Sequence, residues 1–341
     1  MEDDIPNSFK VWTWPPRSFL GGKSREGVRQ REDPVIVYVR VFESGQYVAL
    51  ERVFVQKSAL LSPLPGMIIR VRIVSDTVLY FNMDQYPITP DQVVFFRESG
   101  YIQLHNVLSA EELEGVRSSL AEIDHMKLDA KHHTSADRPE YERIFVQKVN
   151  LWTVHEGMRR YVLNSKLAEI ARRLAQTTRV RIWHDHALIK MPGDSKPSAW
   201  HQDLPYWPMN EPGALSCWMA LDDVDENNGC MQFVPRSHTW GKFEPINLVN
   251  SQDLFGLVPE PDTKDFTPVV MRMRAGSCTF HHGLTFHFAA ANKTDRARRA
   301  MIVIYLPEGI TYNGRPHVVT DGLGLQVDAP IVGEMFPVVA G

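Results

Sequence analysis

Alternating apolar and polar residues mark two parts of this chain as rich in β-strands. The first part begins with valine at every second position from 35 to 41, followed by the pair Ser44–Gly45 and a second alternating run over 47–55. Two such runs joined by a short turn predict a β-hairpin. Shorter alternating runs follow at 69–73 and 77–81. We therefore expect a small antiparallel β unit over residues 34–84, preceded by an irregular stretch over 1–33.

Helical signals begin near residue 89. Thr89 is followed three positions later by glutamine, and Ser109 is followed three positions later by glutamate. Both patterns are capping boxes, in which two side chains satisfy free N–H groups at the start of a helix. A third helix is predicted over 165–175, where apolar residues are spaced three and four apart. The polar stretch 130–143, between the second and third helices, is typical of a mobile loop.

Short β-prone runs replace the helical period after residue 178. Glycine, proline and asparagine separate them, including the hairpin signal at Glu226–Gly229. The runs lie at 180–190, 214–221, 230–235, 268–273, 277–282, 285–290 and 299–306. Many short strands after a helical block predict a closed or double-sheet architecture of the jelly-roll type. The fold class is therefore mainly β, with flanking helices packed outside.

Composition and charge exclude some classes of partner and site. Lysine and arginine total 37 against 41 acidic residues, a net charge of −4. We expect no nucleic-acid or membrane partner, because either would need a concentrated basic face. The three cysteines form no CxxC pair, so neither a disulfide framework nor a thiolate zinc site is expected. The first residues are acidic and polar rather than a signal peptide, which predicts a cytoplasmic protein.

A His-Gln-Asp triplet at 201–203 carries the sharpest chemical signal. Positions i and i+2 of a strand point to one side, so its imidazole and carboxylate could hold one ion together. Such triplets also occur by chance, and this kind of site needs a third ligand. Three histidines compete for that place, His281, His282 and His287. Two histidines and one carboxylate would form the facial triad of ferrous oxygenases, which leaves one side of the metal open.

An arginine pair, Arg298 and Arg299, follows these histidines and enters the apolar run Met301–Leu306. A guanidinium fixed on a barrel strand can bind the carboxylate of a dicarboxylic acid through two hydrogen bonds. The alternative is a solvated strand edge, which the pair alone does not exclude.

Four blocks of this sequence resemble the phytanoyl-CoA dioxygenase family and stand in the same order. They are FFRESGYIQLHNVLS (95–109), WHQDLPYW (200–207), CWMALDDVDENNGCMQFVPRSH (217–238) and HHGLTFHFAAANKTDRARRA (281–300). The resemblance implies a double-stranded β-helix, a jelly-roll and cupin-like fold, that carries iron(II). It also implies that O₂ and the cosubstrate 2-oxoglutarate are consumed while an organic substrate is oxidised, with release of succinate and CO₂.

The resemblance implies roles for five residues. His201 and Asp203 match the family's proximal metal ligands. His287 matches the distal ligand, since it occupies the histidine of the segment here written LTFHFAAANKT. Arg298 falls where the family has the arginine that binds the far carboxylate of 2-oxoglutarate. Trp218 matches a tryptophan that lines the cosubstrate pocket.

One position departs from the family pattern. Many members have serine two residues after the distal histidine, where it helps the arginine to bind the cosubstrate, whereas this chain has Ala289. Arg298 would then rely on another donor. The neighbouring arginines are weaker candidates for the cosubstrate, because Arg299 points to the opposite side of a strand and Arg296 lies in a charged turn.

Other functions compete with a dioxygenase that hydroxylates a small organic substrate. A halogenase of the same superfamily would have glycine or alanine in place of Asp203. A non-redox cupin-like isomerase or hydrolase with another metal would not need Arg298. A non-catalytic, cupin-like binding module would not need a complete triad. Desaturation, ring closure and epimerisation stay open as outcomes, because they use the same oxidising chemistry.

We predict three regions in the chain. An N-terminal extension with the small β unit covers 1–86, the oxygenase domain covers 87–310, and a C-terminal tail packed on the barrel covers 311–341. The extension offers only a small core by the standards of independent domains. A homodimer formed through it is one interpretation of its role, a wall of the substrate entrance is another, and simple stabilisation of the barrel is a third.

The walls of the substrate pocket are predicted from loops. The aromatic candidates for substrate contact are Trp207, Trp240 and Phe243, although loop aromatics can also pack a lid onto a barrel. His184 and His186 precede the metal triplet and are candidates for facing the same cavity.

Overall fold

The computed structural model describes residues 35–43, 46–55, 86–132, 144–193, 195–248 and 258–341. The chain divides into two units, 1–79 and 80–341. In the first, β1 (Val35–Glu43) pairs antiparallel with β2 (Gln46–Val55), which confirms the predicted hairpin. Other predicted features lie outside the described residues, namely the stretch 1–33, the turn at 44–45, the runs at 69–73 and 77–81, and most of the loop over 130–143.

Four helices belong to the described part of the second unit. They are α1 (Pro90–Ser99), α2 (Ala110–Asp124), α3 (Glu156–Val162) and α4 (Ser165–Ala175). Both predicted capping boxes are formed, at Thr89 with Gln92 and at Ser109 with Glu112. Helix α3 was not predicted, because it has only 7 residues and its N-cap is His155, a residue type outside the usual capping set.

Strands of the second unit form two antiparallel sheets. In chain order they are β3 (Tyr101–Leu104), β4 (Val146–Val149), β5 (Val180–Lys190), β6 (Ser198–His201), β7 (Leu215–Ala220), β8 (Met231–Phe233), β9 (Val269–Val270), β10 (Cys278–His282), β11 (His287–Ala289), β12 (Arg298–Pro307) and β13 (Val338–Ala340). The larger sheet has the order β13-β5-β12-β7-β10-β3, with β4 also paired to β5. The smaller sheet has the order β6-β11-β8-β9.

The larger sheet is buried on both faces. Alternate residues on one face, such as Cys217, Met301 and Val303, share a hydrophobic core with the helices. Alternate residues on the other face, such as Trp218 and Ile302, line a cavity of about 530 Å³. Burial on both faces explains why β7 and β12 read as continuous apolar runs rather than alternating ones. A mainly β, jelly-roll fold with flanking helices is thereby confirmed.

The end of the chain belongs to the larger sheet. Strand β13 pairs with β5, and the ring of Phe336 stacks on that of Trp183 with centroids 5.4 Å apart. Both side chains are buried. Strand β13 therefore covers one edge of the sheet, and His317 and Val318 from the same end of the chain line the cavity.

Among the described residues, none of the helices has both the length and the apolar character needed to cross a bilayer.

Candidate active site

Strand pairing between β6 and β11 brings the predicted metal ligands together. His201 ends β6 and lies directly opposite His287, the first residue of β11, so their ring centroids are 4.1 Å apart. Asp203 follows in the turn that leads into the short helix Leu204–Tyr206. Its Oδ1 lies 3.8 Å from Nε2 of His201 and 3.5 Å from Nε2 of His287. The three ligand atoms all lie within 4.8 Å of one another, which is compatible with a single ion.

Both imidazoles are held in the form that binds metals. Nδ1 of His201 lies 2.7 Å from the carbonyl oxygen of Ala199, and Nδ1 of His287 lies 2.9 Å from that of Thr285. A carbonyl oxygen only accepts, so each Nδ1 carries the proton and each Nε2 offers a lone pair to the ion. Burial lowers the pKa of His201 to about 3 and that of His287 to about 4, so both rings are neutral near pH 7.

Asp203 is oriented by two donors on the larger sheet. Its Oδ2 accepts a hydrogen bond from Ser216 Oγ at 2.9 Å and another from His281 Nε2 at 3.1 Å. Oδ1 is thereby left toward the two histidines. Burial by itself would raise the pKa of this carboxyl, but the electrostatic influence of the neighbouring His287 imidazole and the hydrogen bond from His281 hold the pKa well below its ordinary value. The carboxylate is therefore ionised and ready to bind a cation.

The structure separates the three histidines that the sequence left open. His281 lies beside the triad as a hydrogen-bond donor to Asp203. His282 points elsewhere, since its Nδ1 accepts the backbone N–H of Leu284 at 3.1 Å and its ring lies 5.5 Å from that of His238. His287 alone of the three belongs to the cluster with metal-ligand spacing.

Arg298 is a buried cation that faces the same cavity. It is 2% exposed, and its guanidinium lies 5.3 Å from the centre of the Trp218 ring. Its hydrogen bond to the carbonyl oxygen of Leu188 is long, at 3.5 Å, and its Nε has no partner within the described residues. Burial lowers its pKa to about 10, so it stays charged at neutral pH. A buried charge without a counter-ion is costly, and the donor set fits an incoming carboxylate.

Arg299 points away from the cavity. Its Nη2 and Nε bind the carboxylate of Asp222 at 2.6 Å and 3.1 Å on the other side of the sheet. Arg296 is exposed and lies 3.8 Å from the carboxylate of Asp295. Of the three neighbouring arginines, Arg298 is the one that faces the triad.

Lys190 is a buried neighbour that the sequence did not reveal. It pairs with Arg298 across β5 and β12, is fully buried, and donates to the carbonyl oxygens of Ile144 and Lys196 at 3.1 Å and 2.8 Å. Burial, and then the charge of Arg298, lower its pKa to about 6. Near neutral pH, Lys190 is mostly uncharged and Arg298 keeps its charge. A lysine that ends an apolar strand gives no sign of burial in the sequence.

The predicted substrate contacts are only partly found. Trp207, His184 and His186 line the cavity. Trp240 and Phe243 do not, because both rings pack against Phe286 in a separate hydrophobic cluster, with centroids 5.9 Å and 5.2 Å away. The expectation that these two aromatics face the substrate cavity is therefore wrong. The loop aromatics act here as a packed cover over the smaller sheet.

Two antiparallel sheets around two neutral imidazoles, one carboxylate and an inward arginine define the class of non-haem, 2-oxoacid-dependent oxygenases. Residues 96–300 match the family model for phytanoyl-CoA dioxygenase. The chain belongs to that family, as its sequence blocks predicted. It is therefore an oxidoreductase whose cofactors are iron(II) and 2-oxoglutarate.

Known relatives cover most of the second unit. The peroxisomal phytanoyl-CoA dioxygenase of Bos taurus is 26% identical over 229 residues, which are 62% of this chain and 66%, just under two thirds, of that protein. A methylphosphonate hydroxylase of Gimesia maris is 28% identical over 236 residues, 65% of this chain and 83% of that one. The crystal structure of SnoK, a non-heme alpha ketoglutarate dependent carbocyclase from nogalamycin biosynthesis, has a TM-score of 0.61 and 30% identity. The match covers 74% of this chain and 97% of the SnoK chain.

Replacing Ser216 by alanine is expected to weaken iron(II) binding by about ten- to a hundredfold, because groups that orient a ligand typically contribute that much. Asp203 would keep the donor His281 but lose the shorter of its two hydrogen bonds. Titration of the full chain with iron(II) under nitrogen gives the Kd. Ser119→Ala is the matched control, since this buried serine lies on α2 and bonds Gly115 O. Equal affinities in the two variants would show that Ser216 does not orient the ligand.

Proposed function

We propose that this enzyme hydroxylates a small organic substrate and releases succinate and CO₂. His201, Asp203 and His287 would hold iron(II), and Arg298 with Trp218 would bind 2-oxoglutarate. The observation that carries the proposal is the buried, uncompensated charge of Arg298 in the same cavity as the triad. A metalloprotein without a carboxylate cosubstrate would have no use for it, which disfavours the non-redox cupin-like alternative.

Iron(II), when bound, supplies the activation of O₂, and the protein supplies position and shielding. Nε2 of each histidine and Oδ1 of Asp203 would hold the ion, and a site of two histidines and one carboxylate would leave positions open for cosubstrate and O₂. The planar guanidinium of Arg298 would take the far carboxylate of 2-oxoglutarate, while the Trp218 ring covers the guanidinium. The apolar side chains around Ile302 in the cavity lining would limit the access of water to the reacting atoms.

Ser198 is the residue that we propose in place of the family serine. It lies directly opposite Ala289 in the pairing of β6 with β11, and side chains of such a pair share one face. Both line the cavity that contains Arg298. Ser198 is buried, and its hydroxyl makes no hydrogen bond within the described residues. A hydroxyl moved across one strand pair can thus assist Arg298 with the cosubstrate carboxylate.

The outcome of the oxidation is proposed from what the reaction demands of the substrate. One relative is named a hydroxylase and another a carbocyclase, so relatives at similar identity differ in outcome. Hydroxylation needs no second reacting group on the substrate, and we therefore take it as the outcome here. Oxygen from ¹⁸O₂ in the product would support hydroxylation, whereas a product two hydrogens lighter with no added oxygen would indicate desaturation or ring closure.

Removing any ligand of the triad is expected to abolish both iron(II) binding and succinate release while the fold persists. His201→Ala, Asp203→Ala and His287→Ala each take away one of three ligands. Metal analysis, succinate quantification and circular dichroism measure the three properties. His282→Ala is the control, since this ring points away from the cavity. A folded His287→Ala protein that still binds iron would return the distal role to His281.

Arg298→Gln is expected to raise the requirement for 2-oxoglutarate by roughly ten- to a hundredfold, since a charge-assisted hydrogen bond contributes about 1.5–3 kcal/mol. Arg299→Gln should change it little, because that arginine binds Asp222 outside the cavity. The measurement is the succinate rate against 2-oxoglutarate concentration. A larger effect at Arg299 would overturn the assignment.

The proposed role of Ser198 is tested in the same assay by a rescue. Ser198→Ala alone should raise the 2-oxoglutarate requirement by about tenfold. Adding Ala289→Ser should bring the requirement most of the way back to the wild-type value, because this serine supplies a hydroxyl from the opposite strand. A double variant no better than Ser198→Ala would reject the exchange of positions.

We also propose that residues 87–310 form the oxygenase domain, that 311–341 pack on it as a tail, and that the extension over 1–86 mediates a homodimer. A chain that begins at residue 80, where the second unit begins, should bind iron(II) like the full chain but be monomeric. Starting at 87 should lower its Tm, because Tyr86 packs on the core and donates to His105 O at 3.1 Å. Light scattering measures the number of chains per particle, and calorimetry measures the Tm. An unchanged number of chains per particle would reject the dimer role.

A further inference from the structure

We propose that His184, His186 and His317 form a subsite that binds the hydroxyl group of a largely apolar alcohol or phenol, the organic substrate of this enzyme. All three rings line the cavity that contains the triad. The substrate class rests on the proposed oxygenase function. The hydrogen-bonding character of the three rings does not depend on that function.

The histidine subsite lies within reach of the metal centre. His184 and Ser216 pair with Ile304 from its two sides, so their Cα atoms are about 10 Å apart across two strand spacings. Ser216 in turn bonds Asp203 at 2.9 Å. Arg298 lies six residues before Ile304 on β12, which is ~20 Å along the strand. The cosubstrate arginine and the histidine subsite therefore occupy different ends of one wall, and a small molecule can bridge the subsite and the triad.

Hydrogen bonds determine which ring nitrogens carry protons. Nδ1 of His184 lies 3.3 Å from the carbonyl oxygen of Asp185, which can only accept, so this Nδ1 carries its proton. Nδ1 of His186 lies 3.4 Å from Nδ1 of His184 and must then be an acceptor. Nδ1 of His317 accepts the backbone N–H of Val319 at 3.2 Å. Hence Nε2 carries the proton in His186 and His317, and Nε2 of His184 carries a lone pair.

The subsite thus combines one acceptor with two donors. Within the described residues, none of the three Nε2 atoms has a hydrogen-bond partner among the protein groups. His184 is only 5% exposed, and an unsatisfied polar atom at such a site is costly. An alcohol or phenol hydroxyl both donates and accepts, so it can satisfy His184 together with His186 or His317. An ether or ketone can only accept and would leave the lone pair of His184 unmatched.

The charges in the cavity favour a neutral ligand over an anion. Arg298 is the single lysine or arginine side chain among the described lining residues, and the cosubstrate would occupy it. Burial lowers the pKa of His186 and of His317 to about 4 and lowers that of His184 as well, so the rings are neutral at pH 7. A phosphonate or carboxylate substrate would therefore find no free cationic side chain among the described lining residues.

The remaining walls set the rest of the substrate. Apolar side chains surround the histidine subsite, among them Leu188, Ile302, Ile304 and Val318. A cavity of about 530 Å³ falls within the range of small-molecule sites. A carbon framework with few polar groups fits these walls. A second metal ion is disfavoured, because the described part of the chain contains one cluster with metal-ligand spacing, and it is the triad.

Matched pairs of probes test the subsite directly. 2-Naphthol is compared with 2-methoxynaphthalene, and cyclohexanol with methoxycyclohexane, by calorimetric titration of the full chain under nitrogen. Each titration is run with and without iron(II) and 2-oxoglutarate. The variants are His186→Phe/His317→Phe, which removes both donors, and His186→Gln/His317→Gln, which keeps an N–H at each position. His238→Gln is the control, since that half-buried histidine lies outside the cavity lining.

We expect the wild type to bind the hydroxyl member of at least one pair about tenfold more tightly than its methyl ether. The phenylalanine double variant should lose this preference, the glutamine double variant should recover part of it, and His238→Gln should keep it. Equal binding within both pairs, binding of neither hydroxyl compound at millimolar concentration, or a preference that survives the phenylalanine double variant would overturn the proposal. Two metal ions bound per chain would also overturn it.

The two proposals fail separately. A wild-type protein that binds neither iron(II) nor 2-oxoglutarate would reject the oxygenase function. The hydroxyl preference measured without either cofactor would still decide the role of the histidine subsite.

Discussion

The antiparallel pairing of β6 with β11 is the constraint on which the metal centre depends. It sets His201 directly opposite His287, so that their ring centroids lie 4.1 Å apart. A backbone carbonyl then holds each imidazole with Nε2 toward the other ring. Asp203 comes from the turn that follows β6, so one short segment brings two members of the triad. A slip of one residue in this register would turn His287 to the opposite face and dismantle the site.

Charge balance links the triad to the rest of the cavity. Asp203 and Arg298 are the two ionised side chains in the described lining, and neither has a counter-ion beside it. The charge of iron(II) and that of doubly ionised 2-oxoglutarate are equal and opposite, as are the charges of these two residues. With both bound, the described lining of the cavity and its cofactors would therefore be neutral overall. Lys190 is consistent with this balance. Its lowered pKa leaves it mostly uncharged near pH 7, so it adds no positive charge beside Arg298.

Local signals explain what the sequence could predict. Capping boxes, the first hairpin and the His-x-Asp triplet depend on residues a few positions apart, and four ordered blocks identified the family. Local signals could not choose between His281 and His287, because that choice depends on strand pairings between residues some 80 positions apart. Ser198 opposite Ala289 was hidden for the same reason. The prediction of Trp240 as a substrate contact was wrong, because the direction of a loop aromatic depends on what the loop packs against.

A division of labour within the cavity follows from where its residues lie in the chain. The family match ends at residue 300, and the predicted iron ligands and Arg298 all precede that point. His317 lies beyond it, in the tail that covers the edge of the larger sheet. With both cofactors bound, the described lining of the cavity would have no net charge with which to attract a substrate, so recognition by these residues would come from hydrogen bonds and shape. Groups such as His317, supplied from outside the matched segment, can vary without disturbing the iron site.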